Sequence, residues 1–246
     1  MAQVSFRFFG DLNGFLAHPR RDVAFEQAFE GAPSVKHLIE ASGVPHTEVA
    51  HILVDGQPVG FEYAVQPGNQ IEVYPAADER GNGLQDPPGS AIFILDNHLG
   101  KLATYLRILG FDSLYRNDYD DETLANISSE SGRILLTRDR RLLMRKMVRY
   151  GYLVRHDEPK LQVVEVLRRF GLAGQVAPFR RCLRCNHLLD VAQKEAILHR
   201  LEPLTRRYFE DFRICPACDQ IYWRGSHFDH MERFVREVLG GQEDLS

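Results

Sequence analysis

The chain has 246 residues, of which 44% are hydrophobic and 26% charged, which is ordinary for a soluble globular protein. Its first residues, MAQVSFRFFGDLNG, lack a basic stretch followed by a long apolar run, so no signal peptide is expected. No stretch approaches about eighteen uninterrupted apolar residues, which argues against a membrane span. We therefore expect a cytoplasmic protein of one large domain or two small ones.

The net charge of −4 is an average over two unlike parts of the chain. Residues 1–90 contain 5 Lys/Arg and 12 Asp/Glu, whereas residues 91–246 contain 25 and 22. Within the second part, residues 133–155 hold 8 basic residues and one acid, Asp139. Such a local field attracts a phosphate backbone whatever the charge of the whole chain. A solvated helix face is the alternative explanation, and the residues leave both open.

The first third of the chain predicts a small mixed sheet packed on one helix. The helix contains Val35, Leu38 and Ile39 at helical spacing, with Ser34 as its N-cap and Gly43 as its stop. Alternating apolar residues and turn dipeptides at 55–56 and 67–68 place the strands. The predicted order is ββαββ, with strands over 4–9, 22–29 and 70–74 and a strand within 51–59 that runs into the turn at 55–56.

This element order resembles the β-grasp family of ubiquitin-like and sulfur-carrier proteins, especially in the stretches VDGQPV and PGNQIEVYP. Sulfur carriers end in a free Gly-Gly that is activated as a thiocarboxylate. Here the chain continues past Pro75, so that chemistry is not available to it. The resemblance therefore implies a domain that binds a partner or packs against its neighbour.

The next part of the chain alternates between strands and helices. Residues 78–90 are rich in Gly, Pro and polar groups and are interpreted as a linker. Strands are then predicted over 91–95, 112–115, 133–137 and 152–156, with helices between them. One of these helices is basic and runs from Leu142 to a stop at Gly151. Alternation of this kind predicts βαβ units and a parallel sheet.

Acidic residues follow the predicted strands: Asp96, the run Asp118–Glu122, Asp139 and Asp157. The carboxyl ends of parallel strands share one edge of a sheet, so these side chains are expected to converge in one pocket. A hard divalent cation relieves the repulsion between clustered carboxylates, and Mg²⁺ and Mn²⁺ prefer such oxygen ligands. One or two such ions can activate water in phosphodiester hydrolysis. Thr137 is a candidate for supporting the metal or its water.

Helix capping is the structural alternative for each of these acids, because Asp is a common N-cap residue. Asp120 and Asp121 could cap the helix that follows them, and Asp157 stands near the start of another. Asp96 is less easily explained in this way, since Asn97 could do the capping there.

The four cysteines form two Cys-x-x-Cys pairs, 182/185 and 215/218. One such pair presents two thiolates to a tetrahedral ion, and two pairs complete a closed zinc site. The predicted zinc ligands are Cys182, Cys185, Cys215 and Cys218. Disulfides and a redox-active pair are the alternatives, of which the first is disfavoured in a cytosolic chain. A closed four-cysteine site would support folding and not catalysis.

Basic and aromatic side chains are predicted to bind nucleic acid. Arginines accompany Tyr208, Tyr222 and Trp223 around the cysteines, a combination that suits single-stranded RNA through phosphate contacts and base stacking. Packing of Tyr222 and Trp223 in the zinc core is the alternative. The candidate substrate contacts are Arg138, Arg140, Arg141, Lys146, Trp223 and His227.

The stretches LDNHLGKLATYLRILGFDSLYRNDYDDETL and GRILLTRDRRLL, followed by the paired Cys-x-x-Cys motifs and YWRGSH, resemble the Mut7-C family. That family is described as a PIN-like ribonuclease domain followed by a zinc ribbon. The resemblance covers about 91–228, and the preceding part matches the β-grasp domain often fused to it. It implies Mg²⁺- or Mn²⁺-dependent cleavage of RNA.

The resemblance also implies roles for individual acids. The first acid of PIN-like nucleases follows the first strand and matches Asp96, and the acid of the TxD motif matches Asp139. The middle acid falls within DYDDE, where Asp121 is preferred and Asp120 is second. Asp157 is a fourth candidate.

The sequence thus predicts an α/β protein: a three-layer PIN-like parallel sheet, a C-terminal zinc ribbon and an N-terminal α+β β-grasp domain. The predicted bounds are 1–77 for the β-grasp domain, 78–90 for the linker, 91–175 for the nuclease domain, and 176–246 for the zinc ribbon and C-terminal helix. The predicted function is a metal-dependent ribonuclease. A non-catalytic RNA-binding module and a protein-interaction adaptor acting through the β-grasp domain are the alternatives.

Overall fold

The structure is a computed structural model that describes residues 1–75 and 91–240. The predicted linker at 78–90 lies outside the described residues. The chain divides into two compact units: the described part of Met1–Ser90 with Tyr119–Leu153, and Ala91–Asp118 with the described part of Val154–Ser246. The domain bounds expected from the sequence stay predictions. Within the described residues, no helix has both the length and the apolar character needed to cross a bilayer.

Residues 1–75, which we call the N-terminal domain, form a five-stranded mixed sheet and one α-helix. The sequence predicts the helix and a mixed sheet of four strands, and the short strand Gln57–Pro58 is additional. The elements are β1 Ala2–Phe8, β2 Phe25–Phe29, α1 Val35–Ala41, β3 Val49–Val54, β4 Gln57–Pro58 and β5 Gln70–Pro75, with 3₁₀ turns at Gly10–Phe15, His18–Arg20 and His46–Glu48. The strand order is β2-β1-β5-β3-β4. The central pair β1 and β5 is parallel, and the other pairs are antiparallel. Phe6, Ile39 and Ile71 are fully buried between the helix and the sheet.

Local capping explains why α1 has these bounds. The Ser34 hydroxyl accepts a hydrogen bond from the backbone N–H of His37, which satisfies one of the free donors at the start of the helix. Gly43, two residues after the helix, has a φ of +94°, a backbone conformation that a residue with a Cβ adopts only with strain. The predicted helix start and stop are confirmed.

The α/β part that follows alternates strands and helices: β6 Ile92–Leu95, α2 Gly100–Ile108, β7 Asp112–Tyr115, α3 Asp121–Ser131, β8 Ile134–Thr137, α4 Arg140–Leu143, β9 Gly151–Leu153 and α5 Pro159–Arg169. A 3₁₀ turn covers Asn97–Leu99 and another Ala173–Gln175. In the second unit, β6 pairs with β7 in parallel. In the first unit, β8 pairs with β9 in parallel. These pairings confirm the predicted parallel strands.

Two predicted elements of this part are wrong in length. The basic helix expected from Leu142 to Gly151 ends after one turn at Leu143. The buried side chains there, Leu142, Leu143 and Val148, do not continue at the three- and four-residue spacing that would give the helix an apolar face. The strand expected over 152–156 ends at Leu153, because the Glu165 carboxylate binds the backbone N–H groups of the next residues, 155 and 156.

The C-terminal part of the second unit contains the cysteines in a small module. Its elements are β10 Asp190–Ala192, α6 Lys194–Ile197, α7 Pro203–Tyr208, β11 Phe212–Ile214, β12 Ile221–Trp223 and α8 Ser226–Gly240, with a 3₁₀ turn at Leu198–Arg200. The strands form an antiparallel sheet in the order β10-β11-β12. Ile197, Leu201, Phe212 and Ile221 make its small apolar core. The insert between the cysteine pairs thus contains the short helices α6 and α7.

Candidate active site and zinc centre

Asp139 is fixed in place at the end of β8. The strand is fully buried, and Thr137, its last residue, has 0% exposure. The Thr137 hydroxyl accepts a hydrogen bond of 2.9 Å from the backbone N–H of Asp139. One carboxylate oxygen of Asp139 in turn accepts a hydrogen bond of 2.7 Å from the backbone N–H of Arg141, and Asp139 thereby caps α4. A carboxylate has about four acceptor sites, so capping does not exhaust its capacity to bind a cation.

Asp120 and Asp121 stand at the start of α3, in the same unit as Asp139. Asp120 is the N-cap, and its carboxylate accepts a hydrogen bond of 2.8 Å from the N–H of Thr123. This backbone hydrogen bond is the main cause that lowers the pKa of Asp120 below its usual value, and the charge of Arg145 adds to it. The Asp121 carboxylate lies 3.8 Å from the Arg145 guanidinium.

The connection between α3 and β8 places these acids at one end of the first unit. Gly132, with a φ of +67°, ends α3, and β8 begins two residues later. The helix and the strand therefore run in opposite directions, so the start of α3 lies at the same end as the end of β8. Arg145, just after α4, contacts Asp121 from this side. The exposed carboxylates at 120, 121 and 139 thus share one end of this unit.

Asp96 and Asp157 belong to the second unit. Asp96 is buried. Its carboxylate caps the 3₁₀ turn by accepting a hydrogen bond of 2.6 Å from the backbone N–H of Asn97. The possibility that Asn97 does this capping is therefore not realised, and the structural role considered for such acids applies to Asp96. Asp157 is exposed, and Glu158 caps α5 in its stead. Convergence of Asp96 and Asp157 with the acids of the first unit stays a prediction.

The candidate phosphate-binding side chains of the first unit differ in their surroundings. Arg138, Arg141 and Lys146 are exposed. Arg140 is exposed as well, but it also donates from Nη1 to the backbone carbonyls of Phe15, at 3.0 Å, and Gly43, at 3.3 Å. Its guanidinium is thus engaged with the N-terminal domain. The sequence gives no signal for this contact, because its partners are backbone atoms about a hundred residues away.

The four cysteine sulfurs form one compact cluster. They all lie within 4.8 Å of one another, and the shortest separations are 3.3 Å for Cys185–Cys215 and 3.5 Å for Cys182–Cys218. These separations exceed a disulfide bond of about 2.05 Å. A tetrahedral zinc ion with Zn–S bonds of about 2.3 Å needs sulfurs about 3.8 Å apart. The donor set and its spacing fit a structural zinc ion.

Both Cys-x-x-Cys turns have the same backbone design. The N–H groups of Cys182 and Cys215 donate to the carbonyls five residues ahead, at 2.8 and 2.9 Å. Asn186 and Asp219, which follow the second cysteine of each pair, have left-handed φ values of +73° and +60°. Asn and Asp tolerate this conformation better than most residues with a Cβ. The sequence therefore builds two equivalent turns that present paired sulfurs to one point.

Burial and hydrogen bonds shift the pKa values of the clustered thiols in opposite directions. Burial acts to raise the pKa of Cys182, but hydrogen bonds from the Tyr222 hydroxyl and nearby backbone N–H groups outweigh it and lower the pKa to about 6. Burial and the neighbouring thiols raise the pKa of Cys185 to about 12. A zinc ion bound here would hold the sulfurs as thiolates, because metal binding displaces the thiol protons.

The first cysteine turn is anchored to α2 and β7 by buried polar groups that were not predicted from the sequence. Arg107 of α2 has 4% exposure and donates to the carbonyls of Ser113, at 2.8 and 3.0 Å, and Leu183, at 2.9 Å. The Asn186 side chain accepts from the Ser113 N–H and donates to Asp112. The only sequence signal is one arginine within a buried helical stretch. Arg107 therefore joins the cysteine module to the rest of its unit.

Arg107→Met is expected to lower the free energy of unfolding of this unit by about 3 kcal/mol, because buried carbonyls lose a charged donor. Arg116→Met is the matched control, since Arg116 is exposed and forms an ion pair with Asp118 at the surface. The midpoint of urea denaturation measures both. Equal midpoints for the two variants would contradict the anchoring role.

Tyr222 and Trp223 have different surroundings. The Tyr222 hydroxyl accepts from the N–H of Leu183 and lies 3.2 Å from the Cys182 sulfur, so it belongs to the core of the cysteine cluster. Trp223 is 40% exposed and lines a cleft of about 620 Å³ together with Arg213 and Arg224. His227, in the first turn of α8, is exposed. Trp223 and His227 remain predicted RNA contacts.

The described fold defines a mixed α/β protein with parallel strands, a sheet-rich N-terminal domain and a four-cysteine cluster in the C-terminal module. The sequence model of the Mut7-C RNAse domain matches residues 91–235, more than half of the chain, so the chain belongs to this family. The Mut7-C ubiquitin model matches residues 1–80. The predicted family and fold class are thus confirmed. Neither a curated protein nor a solved structure matches the chain.

Proposed function

We propose that the protein is a metal-dependent ribonuclease that hydrolyses phosphodiester bonds of single-stranded RNA. The match of residues 91–235 to the family's RNase domain carries this proposal. The arrangement of the first unit supports it, since three exposed carboxylates and several exposed cations lie along a short stretch of chain. Carboxylates suit a hard divalent ion, and arginine and lysine suit the flanking phosphates.

In this proposal, Asp96, Asp121 and Asp139 hold Mg²⁺ or Mn²⁺, with Asp120 and Asp157 as further acidic neighbours. The ion, when bound, supplies charge neutralisation and an activated water. Thr137 orients Asp139 through the hydrogen bond to its backbone N–H. Arg138, Arg141 and Lys146 bind phosphates, and Trp223 and His227 bind the RNA further along.

Arg145 has a proposed role that follows from its contact with Asp121. At 3.8 Å the guanidinium neutralises part of the carboxylate charge while no ion is present. A divalent ion brings a larger charge to the same carboxylate, which frees Arg145 to bind a phosphate of the RNA. We therefore place Arg145 with the substrate-binding residues.

We also propose a structural zinc ion on Cys182, Cys185, Cys215 and Cys218. The cluster has no open ligand position once four thiolates are bound, so the ion stabilises the module and takes no part in catalysis. The N-terminal domain carries no residue of the proposed metal sites.

The test is cleavage of end-labelled single-stranded RNA in Mn²⁺ by the full chain, compared with Asp96→Asn/Asp139→Asn. The wild type is expected to cleave, the double variant to be inactive, and EDTA to stop the reaction. Asp118→Asn is the matched control, because Asp118 lies in the same acidic run but is exposed and paired with Arg116. Equal cleavage by the wild type and the double variant would identify a contaminant. RNA binding that persists in EDTA without turnover would support a non-catalytic RNA-binding module.

A further inference from the structure

Arg140 connects the N-terminal domain to the stretch of chain that carries Asp139, and both belong to the first unit. Its Nη1 donates to the backbone carbonyls of Phe15 and Gly43. Phe15 is the last residue of the 3₁₀ turn 10–15, and Gly43 lies just after α1. The guanidinium carbon also lies 5.7 Å from the centre of the Phe15 ring, within range of a cation–π interaction. A single side chain thus reaches two separate loops of that domain.

The position of Arg140 in the chain gives this contact its importance. Arg140 directly follows Asp139 and is the first residue of α4. Thr137 holds the backbone of Asp139 from the strand side. Arg140, the residue after Asp139, is held on the other side by its hydrogen bonds to the N-terminal domain. The backbone that bears the carboxylate is therefore fixed on both sides.

The far end of the same loop is also attached to the N-terminal domain. His46 Nε2 lies 2.8 Å from the carbonyl oxygen of Val148. The Glu48 carboxylate accepts a hydrogen bond of 2.7 Å from the backbone N–H of Leu153. His46 and Glu48 are 2% and 3% exposed; the contact of His46 is buried and that of Glu48 is partly buried. A Cβ at Gly151 would come within 2.6 Å of the Leu143 side chain, which shows how closely the chain is packed here. The stretch from 140 to 153 is therefore held at both ends.

We propose that Arg140 is a positioning residue, through which the N-terminal domain sets the orientation of the Asp139 carboxylate. This inference rests on the proposed function in that Asp139 is taken as a metal ligand. It reassigns Arg140, which the sequence analysis placed on RNA phosphate. It also makes the N-terminal domain a part of the enzyme's architecture and not a separately tethered binding module.

Two glycines of the N-terminal domain provide a matched test. Gly43 has a φ of +94°, and a Cβ there would lie 3.2 Å from Arg140 Nη1. Gly68 has a φ of +84°, and a Cβ there would meet nothing within 4 Å. Gly43→Ala and Gly68→Ala therefore share the cost of a left-handed backbone, but only Gly43→Ala presses on Arg140.

Amide hydrogen exchange of residues 139–143 is the first readout, because it does not require activity. Gly43→Ala is expected to speed exchange there about tenfold relative to Gly68→Ala, since opening of α4 becomes easier. The Mn²⁺ concentration for half-maximal RNA cleavage is expected to rise about tenfold in Gly43→Ala alone, because a displaced carboxylate binds and orients less well. Equal exchange in the two variants would overturn the proposal.

A second pair of variants separates positioning from phosphate binding. Arg140→Gln is expected to lower kcat while leaving KM and the salt dependence of RNA binding unchanged. Arg141→Gln, at an exposed position, is expected to reduce the slope of log K against log salt by about one. A reduced slope with unchanged kcat in Arg140→Gln would overturn the positioning role. If the wild type does not cleave RNA, the proposed function fails, and the exchange measurement still decides the role of Arg140.

Discussion

Asp139→Asn is expected to lower the rate of RNA cleavage by a factor of about 100 or more while the fold stays intact. A metal ion contributes several kcal/mol of charge stabilisation in the transition state, and about 2.7 kcal/mol corresponds to 100-fold in rate. Asn removes the charge that binds the ion. It also keeps the cap of α4, because Asn and Asp are about equally good at that position.

The comparison with Asp139→Ala separates chemistry from stability. Ala loses both the charge and the hydrogen bond to the N–H of Arg141, so it is expected to lose activity and also about 1 kcal/mol of stability. Steady-state cleavage rates and thermal unfolding of the three proteins measure the two effects. Near-normal cleavage by Asp139→Asn, in a preparation free of contaminating nuclease, would remove Asp139 from the metal site.

Cys218→Ser is expected to weaken zinc binding by more than about 100-fold, because loss of an outer-shell partner alone costs about 10- to 100-fold. The module has a small apolar core of Ile197, Leu201, Phe212 and Ile221, so the cluster contributes much of its stability. If zinc binds the four sulfurs, which lie within 4.8 Å of one another, its loss removes the bonds that hold their two turns together. Protease cleavage between the two cysteine pairs is the expected consequence.

Cys218→His is the matched control for that variant. Cys218 is half-buried, and Cys₃His sites are common structural zinc sites, so the imidazole nitrogen can replace the thiolate. Zinc content by elemental analysis and the rate of limited proteolysis provide the readouts. Equal zinc content in wild type and Cys218→Ser would show that the cluster is not the zinc site.

Much of the fold follows from local signals in the sequence. Ser34, Gly110 and Gly132 mark helix ends because capping and left-handed backbone depend on a few neighbouring residues, and the structure has them at these positions. The paired cysteines also act locally, through two equivalent turns. Strand and helix order could therefore be predicted, as could the sulfur cluster.

Other features depend on partners far away in the chain. The basic helix fails after one turn because the positions that become buried are set by tertiary packing and not by local spacing. Arg107 and Arg140 look like ordinary surface arginines in the sequence, yet each binds backbone carbonyls of a distant segment. Every residue has a backbone carbonyl, so no residue type or motif in the sequence could have indicated these contacts.

The acidic residues show why a site is harder to predict than a fold. Asp96, Asp120 and Asp139 all cap the turn or helix that follows them. Capping and metal binding use the same residue type at the same place in a βα unit, so the sequence pattern alone does not separate them. The metal-binding role of Asp96 and Asp139 therefore stays a proposal.

The anomalous scattering of Mn²⁺ in crystals of the wild-type protein tests the central claim most directly. We predict a manganese peak within bonding distance of a carboxylate oxygen of Asp139, with Asp96 among the other ligands, and loss of that peak in Asp139→Asn. If saturating Mn²⁺ binds only elsewhere, with neither Asp96 nor Asp139 among its ligands, the proposed active site is contradicted.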